Sequence, residues 1–411
     1  MASFSGIGRV FSYRNARIFY SGSAVAWTGL WMQRVATDWL AWQLTHSPLW
    51  VGVIAFCSLG PSMIVSPFAG AIADRLDRVK LTVCSQLFSA LHAATLVVLI
   101  ATGLIRVEYI ALLEFLSGIS QTISQPARQC LVPGLVPRGD LPAAVALNSL
   151  TFNLARCVGP AVSGVMIAAF GVVPSIVCNC IAYLYASLTL PLLKLAPEYR
   201  RGHASSNSVW HDAADGLRYV ARNRGMGPIF LYAASVGMLL RSVPEMLPPF
   251  VAQLFSRGAE GLAILASTMG LAALAGGLAV AMRARLEGLA RMSLCAGLLL
   301  TFSTAGFVST HSFYIGVFCM ALMGAATTVH GISIQTLLQS ACAPGMIGRV
   351  LSLWGMVVRA GPAIGALTYG AASEFTGLQV PVAVGCLLAC VTFAWAWTRL
   401  PVIEKALERS A

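Results

Sequence analysis

Residues 32–40, MQRVATDWL, place an arginine and an aspartate inside a stretch that is otherwise apolar and aromatic. Arg34 and Asp38 stand four residues apart, so their side chains share one face of a helix. A charged side chain that faces lipid costs several kcal/mol. The pair therefore indicates a helix whose charged face lies inside a protein bundle.

The composition is that of a polytopic membrane protein. Of the 411 residues, 57% are hydrophobic and 10% are charged, with a mean hydropathy of +0.77, whereas soluble chains have about 25% charged residues. Each apolar span approaches or exceeds the roughly 20 residues needed to cross a bilayer. The sequence predicts an all-α membrane protein with twelve transmembrane helices, near residues 18–44, 49–72, 81–103, 109–131, 142–169, 172–193, 228–254, 260–282, 290–309, 312–336, 347–371 and 379–398.

The distribution of positive charge predicts the topology. With the N-terminus inside, 21 of the 27 Lys and Arg residues fall in inner segments, two in outer loops (Arg106 and Arg257) and four in the membrane. By the positive-inside rule, both termini of this multi-pass inner-membrane protein lie in the cytoplasm. The net charge of +12 is then a consequence of topology, and nucleic acid is not expected as a partner.

No motif predicts enzymatic chemistry. The chain has no phosphate-binding loop G-x-x-x-x-G-K-[ST], no H-E-x-x-H zinc motif and no G-x-S-x-G nucleophile elbow. Its eleven cysteines form no C-x-x-C pair. CNC at 178–180 has two interpretations, a metal site or small buried cysteines, and the second is the more common. We expect no enzyme, no cofactor and no metal.

A polar insert divides the chain into two halves. It covers residues 194–227 and separates an N-terminal bundle, 1–193, from a C-terminal bundle, 228–411, each with six spans. Within the insert, Val209, Leu217 and Val220 lie near one face of a predicted amphipathic helix that would rest on the inner membrane surface. The insert has two interpretations, a plain cytoplasmic linker or a regulatory site.

The two halves repeat one another, which is typical of secondary transporters. Six positions recur at offsets of 202 to 207 residues. The matched pairs are Arg34 and Arg241, Asp38 and Glu245, Gly70 and Gly277, Pro137 and Pro344, Arg156 and Arg359, and Pro160 and Pro362. We expect a monomer whose partners are a small-molecule substrate, protons and the lipid bilayer.

The duplicated intramembrane charges have two interpretations. They are either ion pairs that let each helix tolerate its charges, or parts of a central cavity that binds protons and substrate. Burial favours the protonated form of a carboxyl group, while a nearby arginine favours the ionised form, so making and breaking such pairs would move protons. The proton-coupling candidates are Asp38, Glu114 and Glu245. The substrate-binding candidates are Arg34, Arg156, Arg241, Arg359 and Trp31, since guanidinium groups and aromatic rings suit a flat anionic ligand.

The loop GAIADRLDRVKL, residues 70–81, resembles the signature loop of the major facilitator superfamily, with Gly70, Asp74, Arg75 and Arg78 matching and Asp77 in place of glycine. Within this superfamily, the chain resembles the branch that contains the enterobactin exporter and the macrolide efflux proteins. This resemblance is carried by residues 125–165 and by residues 13–52, YRNARIFYSGSAVAWTGLWMQRVATDWLAWQLTHSPLWVG. The chain departs from this pattern at Leu30, where an acidic residue is common, and at Glu114, in the span where related drug antiporters carry an arginine.

ARCVGPAVSG, residues 155–164, is similar to the antiporter motif of the fifth helix, with Gly159, Pro160 and Gly164 matching. The resemblance implies an exporter. Together with the duplicated intramembrane charges, it leads us to expect a proton-coupled exporter of an amphipathic or anionic small molecule that works by alternating access. A siderophore is the first expectation for its substrate and a hydrophobic drug the second. The same small residues also favour ordinary close helix packing. A lysophospholipid transporter and a non-transporting membrane scaffold or sensor remain as alternatives.

The signature loop also implies a gate made of Gly70, Asp74, Arg75, Arg78 and Arg128. We expect the eleventh helix to begin near Ile347, so that its free amide groups face the same membrane edge. Asp74 would cap that helix across the two halves, while Arg128 would pair with Asp74 from its own half. The alternative is that these charges are solvated topology determinants.

Overall fold

The computed structural model describes residues 8–200, 209–283, 286–343 and 346–408, and within these ranges the regular structure is entirely helical. The helices up to the polar insert are α1 (Arg14–Thr45), α2 (Pro48–Leu59), α3 (Pro61–Arg75), α4 (Arg78–Ala101), α5 (Val107–Leu131), α6 (Leu141–Phe170) and α7 (Val173–Thr189). The remaining long helices are α8 (Val209–Arg222), α9 (Met226–Leu239), α10 (Ala259–Arg283), α11 (Leu289–Ser309), α12 (Phe313–Ala341), α13 (Ile347–Thr376), α14 (Gln379–Thr398) and α15 (Leu400–Leu407).

Ten segments of the described chain are long and apolar enough to cross a membrane. Two further predicted spans, the first and the fourth, form the helices α1 and α5, which have 32 and 25 residues. Both are long enough to cross a bilayer but are more polar than the other ten. Several of their polar residues, among them Gln33, Arg34 and Glu114, line the cavity described below.

The seventh predicted span is broken where the sequence analysis expects one continuous helix. Helix α9 ends at Leu239, and Glu245 lies in a separate 3-10 turn, Val243–Met246. Pro244, Pro248 and Pro249 cause the break, because each lacks the amide hydrogen that would bond to a carbonyl one turn earlier. Arg241 and Glu245, which the predicted span 228–254 would place on one continuous helix, therefore do not share a regular helix.

The halves touch closely at the end of the bundle away from the chain termini. A Cβ atom on Gly164, near the end of α6, would lie 2.0 Å from Cβ of Ala263 in α10. A Cβ atom on Gly52, near the start of α2, would lie 2.5 Å from the carbonyl oxygen of Ala366 in α13. Glycine is required at both positions because any side chain would overlap the other half.

The insert forms the predicted helix α8, which packs against α3 and α13 at the end of the bundle that carries the termini. Arg349 Nη1 of α13 donates a hydrogen bond to Asp215 Oδ2 of α8 at 3.4 Å. Val220 is buried, whereas Leu217 is 61% exposed. The side chain of Val209 and residues 201–208 lie outside the described part of the chain. Helix α8 thus connects to the second half by packing and by an ion pair.

We expect the substitution Gly164→Val to shift the protein towards a state in which this end of the bundle is open. Overpacking costs about 1–3 kcal/mol, and each 1.4 kcal/mol changes a population ratio about tenfold. Nitroxide labels at Thr102 and His311, in a background without the eleven native cysteines, should report a longer distance. Gly355→Val is the control, since a Cβ atom there meets nothing within 4 Å. Equal distances in the two variants would contradict the expectation.

Candidate functional site

A cavity of about 560 Å³ lies between the two halves. Gln129 and Ser149, which line it near the termini-bearing ends of α5 and α6, are exposed, so the cavity opens towards that end. The structure brings together there all eight predicted proton-coupling and substrate-binding residues, together with Arg128. The charged lining residues are Asp38, Glu114, Glu245, Arg34, Arg128, Arg156, Arg241 and Arg359.

An ion pair joins the halves across this cavity. Arg34 Nη2 of α1 donates to Glu245 Oε2 in the 3-10 turn of the second half. The two side chains are 29% and 20% exposed, so the pair is largely shielded from solvent. Asp38, by contrast, has no ion pair within 4 Å among the described residues. Arg34 of the first half is thus neutralised by Glu245 of the second half.

Two guanidinium groups lie close to the ring of Trp31. The Cζ atoms of Arg34 and Arg156 lie 5.4 Å and 5.5 Å from the centre of the Trp31 ring, within the range of cation–π attraction. The indole Nε1 of Trp31 is buried and has no hydrogen-bond partner within the described chain. Two other tryptophans of this helix, Trp39 and Trp42, are buried in the core and do not line the cavity.

The remaining arginines of the cavity differ in their contacts. Arg359 Nη2 of α13 donates to Gln125 Oε1 of α5, a second connection between the halves. Arg156 and Arg241 line the cavity and have no ion pair within 4 Å in the described ranges. The cavity therefore contains five arginines and three carboxylates, and its charge is positive when all of them are ionised.

Arg128 lines the cavity, whereas the sequence analysis placed it at a gate. Its Cζ atom lies 4.0 Å from the ring centre of Trp27 and 5.7 Å from that of Phe19. Its Nη2 atom is buried and has no hydrogen-bond partner among the described atoms. The side chain of Asp74 lies outside the described part of the chain. The expected contacts of Asp74 with Arg128 and with α13 therefore stay predictions, while α13 does begin at Ile347.

The other residues of the expected gate lie around the loop after α3. Arg75 is exposed, and Arg78 Nη1 donates to the carbonyl oxygen of Tyr199 at 3.4 Å. A Cβ atom on Gly70 would meet nothing within 4 Å, so close packing does not explain this glycine.

Asp77 has a role that the sequence analysis missed. Its Oδ1 atom accepts hydrogen bonds from the backbone amides of Val79 and Lys80, both at 3.0 Å, and so caps the start of α4. Its Oδ2 atom lies 3.0 Å from Nη2 of Arg200, at the start of the insert. An aspartate directly before a helix is the usual signal of such a cap, and it was available in the sequence.

The small residues of the motif in α6 bring helices together. A Cβ atom on Gly159 would lie 2.6 Å from Cβ of Trp31, so this glycine lets α6 pack directly beside the tryptophan. Pro160 is buried within α6, and Gly164 forms the contact with Ala263 described above. The motif thus shapes the wall of the cavity and the contact between the halves.

Three uncharged polar residues of the first half escaped the sequence analysis. Asn179 Nδ2 donates to Gln33 Oε1 at 2.6 Å, and Gln33 Nε2 lies 3.0 Å from His92 Nδ1. His92 Nε2 in turn lies 3.5 Å from Glu114 Oε1. Gln33, His92 and Asn179 are all buried and all line the cavity. Their only sequence signal is a polar residue in an apolar span.

We expect Glu245→Gln to lower the thermal stability, because it leaves Arg34 shielded from solvent without a carboxylate partner. A hydrogen bond to a charged group contributes about 1.5–3 kcal/mol, and partial exposure reduces the effect. Thermal unfolding in detergent should show a lower midpoint, with partial recovery in the double variant Arg34→Glu with Glu245→Arg. Asp38→Asn is the control because Asp38 has no ion pair within 4 Å in the described chain. An equal loss in both single variants would refute the special role of the pair.

Comparison with known proteins agrees with this architecture. The chain matches a family model described as transmembrane secretion effector over residues 10–411. It is 31% identical over 178 residues to the staphyloferrin A transporter of Staphylococcus aureus, a match that spans 43% of this chain and 45% of that protein. It is 27% identical over 337 residues to the enterobactin exporter EntS of Salmonella typhi, covering 80% of this chain and 78% of that protein.

A third relative matches over most of its length. Macrolide efflux protein A of Streptococcus pyogenes is 20% identical over 377 residues, which is 90% of this chain and 93% of that protein. The crystal structure of a POT family transporter in complex with 5-aminolevulinic acid has the same fold, with a TM-score of 0.78 at 12% identity over 95% of this chain and 97% of that chain. These proteins are membrane transporters and not enzymes. The chain therefore belongs to the transmembrane secretion effector family of the major facilitator superfamily.

Proposed function

We propose that this protein is a proton-coupled exporter of an anionic, partly aromatic small molecule in the inner membrane, and that it works by alternating access. In this proposal twelve spans form two six-helix halves, both termini lie in the cytoplasm, and the protein acts as a monomer. The observation that carries the proposal is the excess of arginine in a cavity between the halves, with two guanidinium groups close to the ring of Trp31.

The charge of the cavity favours an anionic substrate. Glu245 neutralises Arg34, which leaves Arg156 and Arg241 without ion pairs within 4 Å and Arg128 with a buried, unbonded nitrogen in the described structure. These three arginines are half-buried, and a cation that is partly removed from water without a partner is costly. A ligand that carries carboxylate or catecholate oxygens would satisfy these groups with charge-assisted hydrogen bonds.

The aromatic residues favour a ligand with a flat group. Phe152 packs edge-on against both Trp27 and Trp31, with ring centres 5.3 Å and 6.1 Å apart. Together they form an aromatic wall beside the arginines. The cavity volume of about 560 Å³ lies within the range of roughly 300–1,000 Å³ typical of small-molecule sites.

The relatives rank the substrate classes. A staphyloferrin A transporter and an enterobactin exporter favour a siderophore, while the macrolide efflux protein favours a hydrophobic drug. The charged lining is suited to the siderophore and costly for an uncharged drug. A lysophospholipid is the third candidate. The cavity favours transport over a scaffold or sensor, since a scaffold does not require charged groups between its halves.

The opening of the cavity fits one step of an export cycle. With both termini in the cytoplasm, the cavity faces inwards, ready to take substrate from the cytoplasm. The far end is closed by the glycine contacts and by Glu374, whose Oε1 accepts hydrogen bonds from Ser47 Oγ and from the amide of Leu49. Asp38, Glu114 and Glu245 are the candidates for binding the proton that drives the return.

Transport by reconstituted protein tests the function. Proteoliposomes with an imposed pH gradient would be given an iron-free catecholate siderophore, a hydroxycarboxylate siderophore, a macrolide and a lysophospholipid. We expect gradient-driven movement of an anionic siderophore and little of the others. Macrolide transport alone would favour the drug exporter, and no flux of any compound would favour the scaffold.

Replacing a cavity arginine should weaken substrate binding. We expect Arg156→Gln to lower affinity for the transported anion about ten- to hundred-fold, because a charge-assisted hydrogen bond contributes about 1.5–3 kcal/mol. Arg156→Lys should be intermediate because lysine keeps the charge but not the planar group. Calorimetric titration of the purified protein measures both.

Arg257→Gln is the matched control for this measurement. Arg257 also stacks on an aromatic ring, with its Cζ atom 5.3 Å from the ring centre of Phe313, but it does not line the cavity. Its replacement should leave affinity unchanged. A similar loss in Arg156→Gln and Arg257→Gln would contradict a substrate site at Arg156.

A further inference from the structure

Four polar residues of the first half form a chain of contacts that ends at Glu114. We call it the directed chain because each residue points a donor at the next. The chain runs from Asn179 in α7 through Gln33 in α1 and His92 in α4 to Glu114 in α5, with heavy-atom distances of 2.6, 3.0 and 3.5 Å. The His92 side chain is 3% exposed and that of Glu114 is 14% exposed. Glu114 also lines the cavity, so water can reach it.

The hydrogen bonds determine which nitrogen of His92 carries the proton. Because Asn179 donates to the Gln33 oxygen, the nitrogen of the Gln33 amide faces His92. An amide nitrogen only donates, so Nδ1 of His92 must accept. A neutral imidazole has one donor and one acceptor, and its N–H is therefore on Nε2, on the side of Glu114.

His92 and Glu114 lie close together in this state but are not hydrogen-bonded. Nε2 of His92 is buried and has no hydrogen-bond partner among the described residues, although the Glu114 oxygen is 3.5 Å away. An N–H directed at a carboxylate stabilises the ionised form and opposes its protonation. A small movement of α4 or α5 that closes or widens this gap would change how readily Glu114 takes a proton.

Resting on the proposed function, we propose that Glu114 is the proton-binding group of the cycle and that His92 is its positioning residue. A proton from water in the cavity forms an O–H bond on the Glu114 carboxyl group. His92 stays neutral, because a proton on its Nδ1 would face the N–H of Gln33. Gln33 and Asn179 hold His92 as a donor, and the strength of its contact with Glu114 sets proton affinity.

The chain is connected to the contact between the halves through adjacent residues of α1. Gln33 orients His92 within the first half, while Arg34 pairs with Glu245 of the second half. A rotation or tilt of α1 moves both residues at once. Proton binding at Glu114 and separation of the halves are thereby linked. The other ionisable groups that face Glu114, from α1, α2 and α7, are Arg34, Asp38, Cys57 and Tyr183.

The conformational response to pH tests this assignment without a substrate. Nitroxide labels at Thr102 and His311 would be measured in lipid nanodiscs between about pH 4 and pH 9, a range that includes the ordinary pKa values of glutamate and histidine side chains. We expect the distance distribution of the otherwise unchanged protein to shift with pH. Glu114→Gln should remove the shift, and an unchanged response in that variant would overturn the assignment. A complete lack of response in the unaltered protein would overturn proton coupling itself, and with it this inference.

Substitutions at His92 separate positioning from simple packing. His92→Leu removes the donor, so the protonated carboxyl group is favoured and the midpoint should move to higher pH by about one to two units. His92→Gln keeps an N–H near the position of Nε2 and should restore the midpoint. If His92→Leu does not fold, Gln33→Leu serves instead, since it frees the imidazole to reorient and should raise the midpoint less. A midpoint that stays the same in the folded variants would overturn the role of His92.

His330→Gln is the matched control. His330 is the buried histidine of the second half; its Nδ1 lies 3.1 Å from the carbonyl oxygen of Ser293, and it has no ion pair within 4 Å in the described structure. Its replacement should leave the midpoint unchanged.

In protein with 15N-labelled histidine, the signals lost in His92→Gln should show protonated Nε2 and unprotonated Nδ1. The opposite tautomer would contradict the directed chain.

Discussion

The arrangement of the two halves depends on the ion pair between Arg34 and Glu245. Each group would be costly alone in an apolar bundle, and each is placed on a different half. The pair therefore requires the halves to approach at this depth in the state described here. When the halves separate, both charges need another partner or water. The ion pair thus makes the conformation of the bundle depend on what else occupies the cavity.

Helix α1 is the element through which several contacts of the site pass. Successive residues of a helix point about 100° apart, so Gln33 and Arg34 reach different surroundings from the same turn. Trp31, on the same helix, stacks with Arg34 and Arg156. The aromatic wall of the cavity, the contact with the second half and the directed chain consequently meet within a single turn of one helix. Movement of that turn changes all three together.

The sequence singled out the charged residues that line the cavity but not the uncharged polar ones. Arg34, Glu245, Arg156 and Arg359 stand out because a charge in an apolar span demands an explanation. A buried amide such as Gln33 costs much less when bonded, so the sequence gives no comparable signal. Which groups pair was also hidden, since Arg34 selects Glu245 across the halves, and that choice depends on tertiary packing.

The fold was predictable to a similar degree. Apolar spans gave most helices and the start of α13 at Ile347, because length and hydropathy determine what crosses a bilayer. The break after Leu239 was not anticipated, since three prolines in an apolar stretch leave its hydropathy high while removing amide donors. The cap formed by Asp77 is local and could be predicted from the sequence, but the family signature directs attention to the neighbouring charges instead.

Substitution of the glycines between the halves can change the distance between the halves in one direction only. At Gly52 and Gly164 the opposing half lies where a Cβ atom would be, and every replacement for glycine adds atoms. Chance substitution at these positions can only push the halves apart, and none can bring them closer. The balance between the two conformations therefore drifts towards one side under random change, and only retention of glycine preserves it.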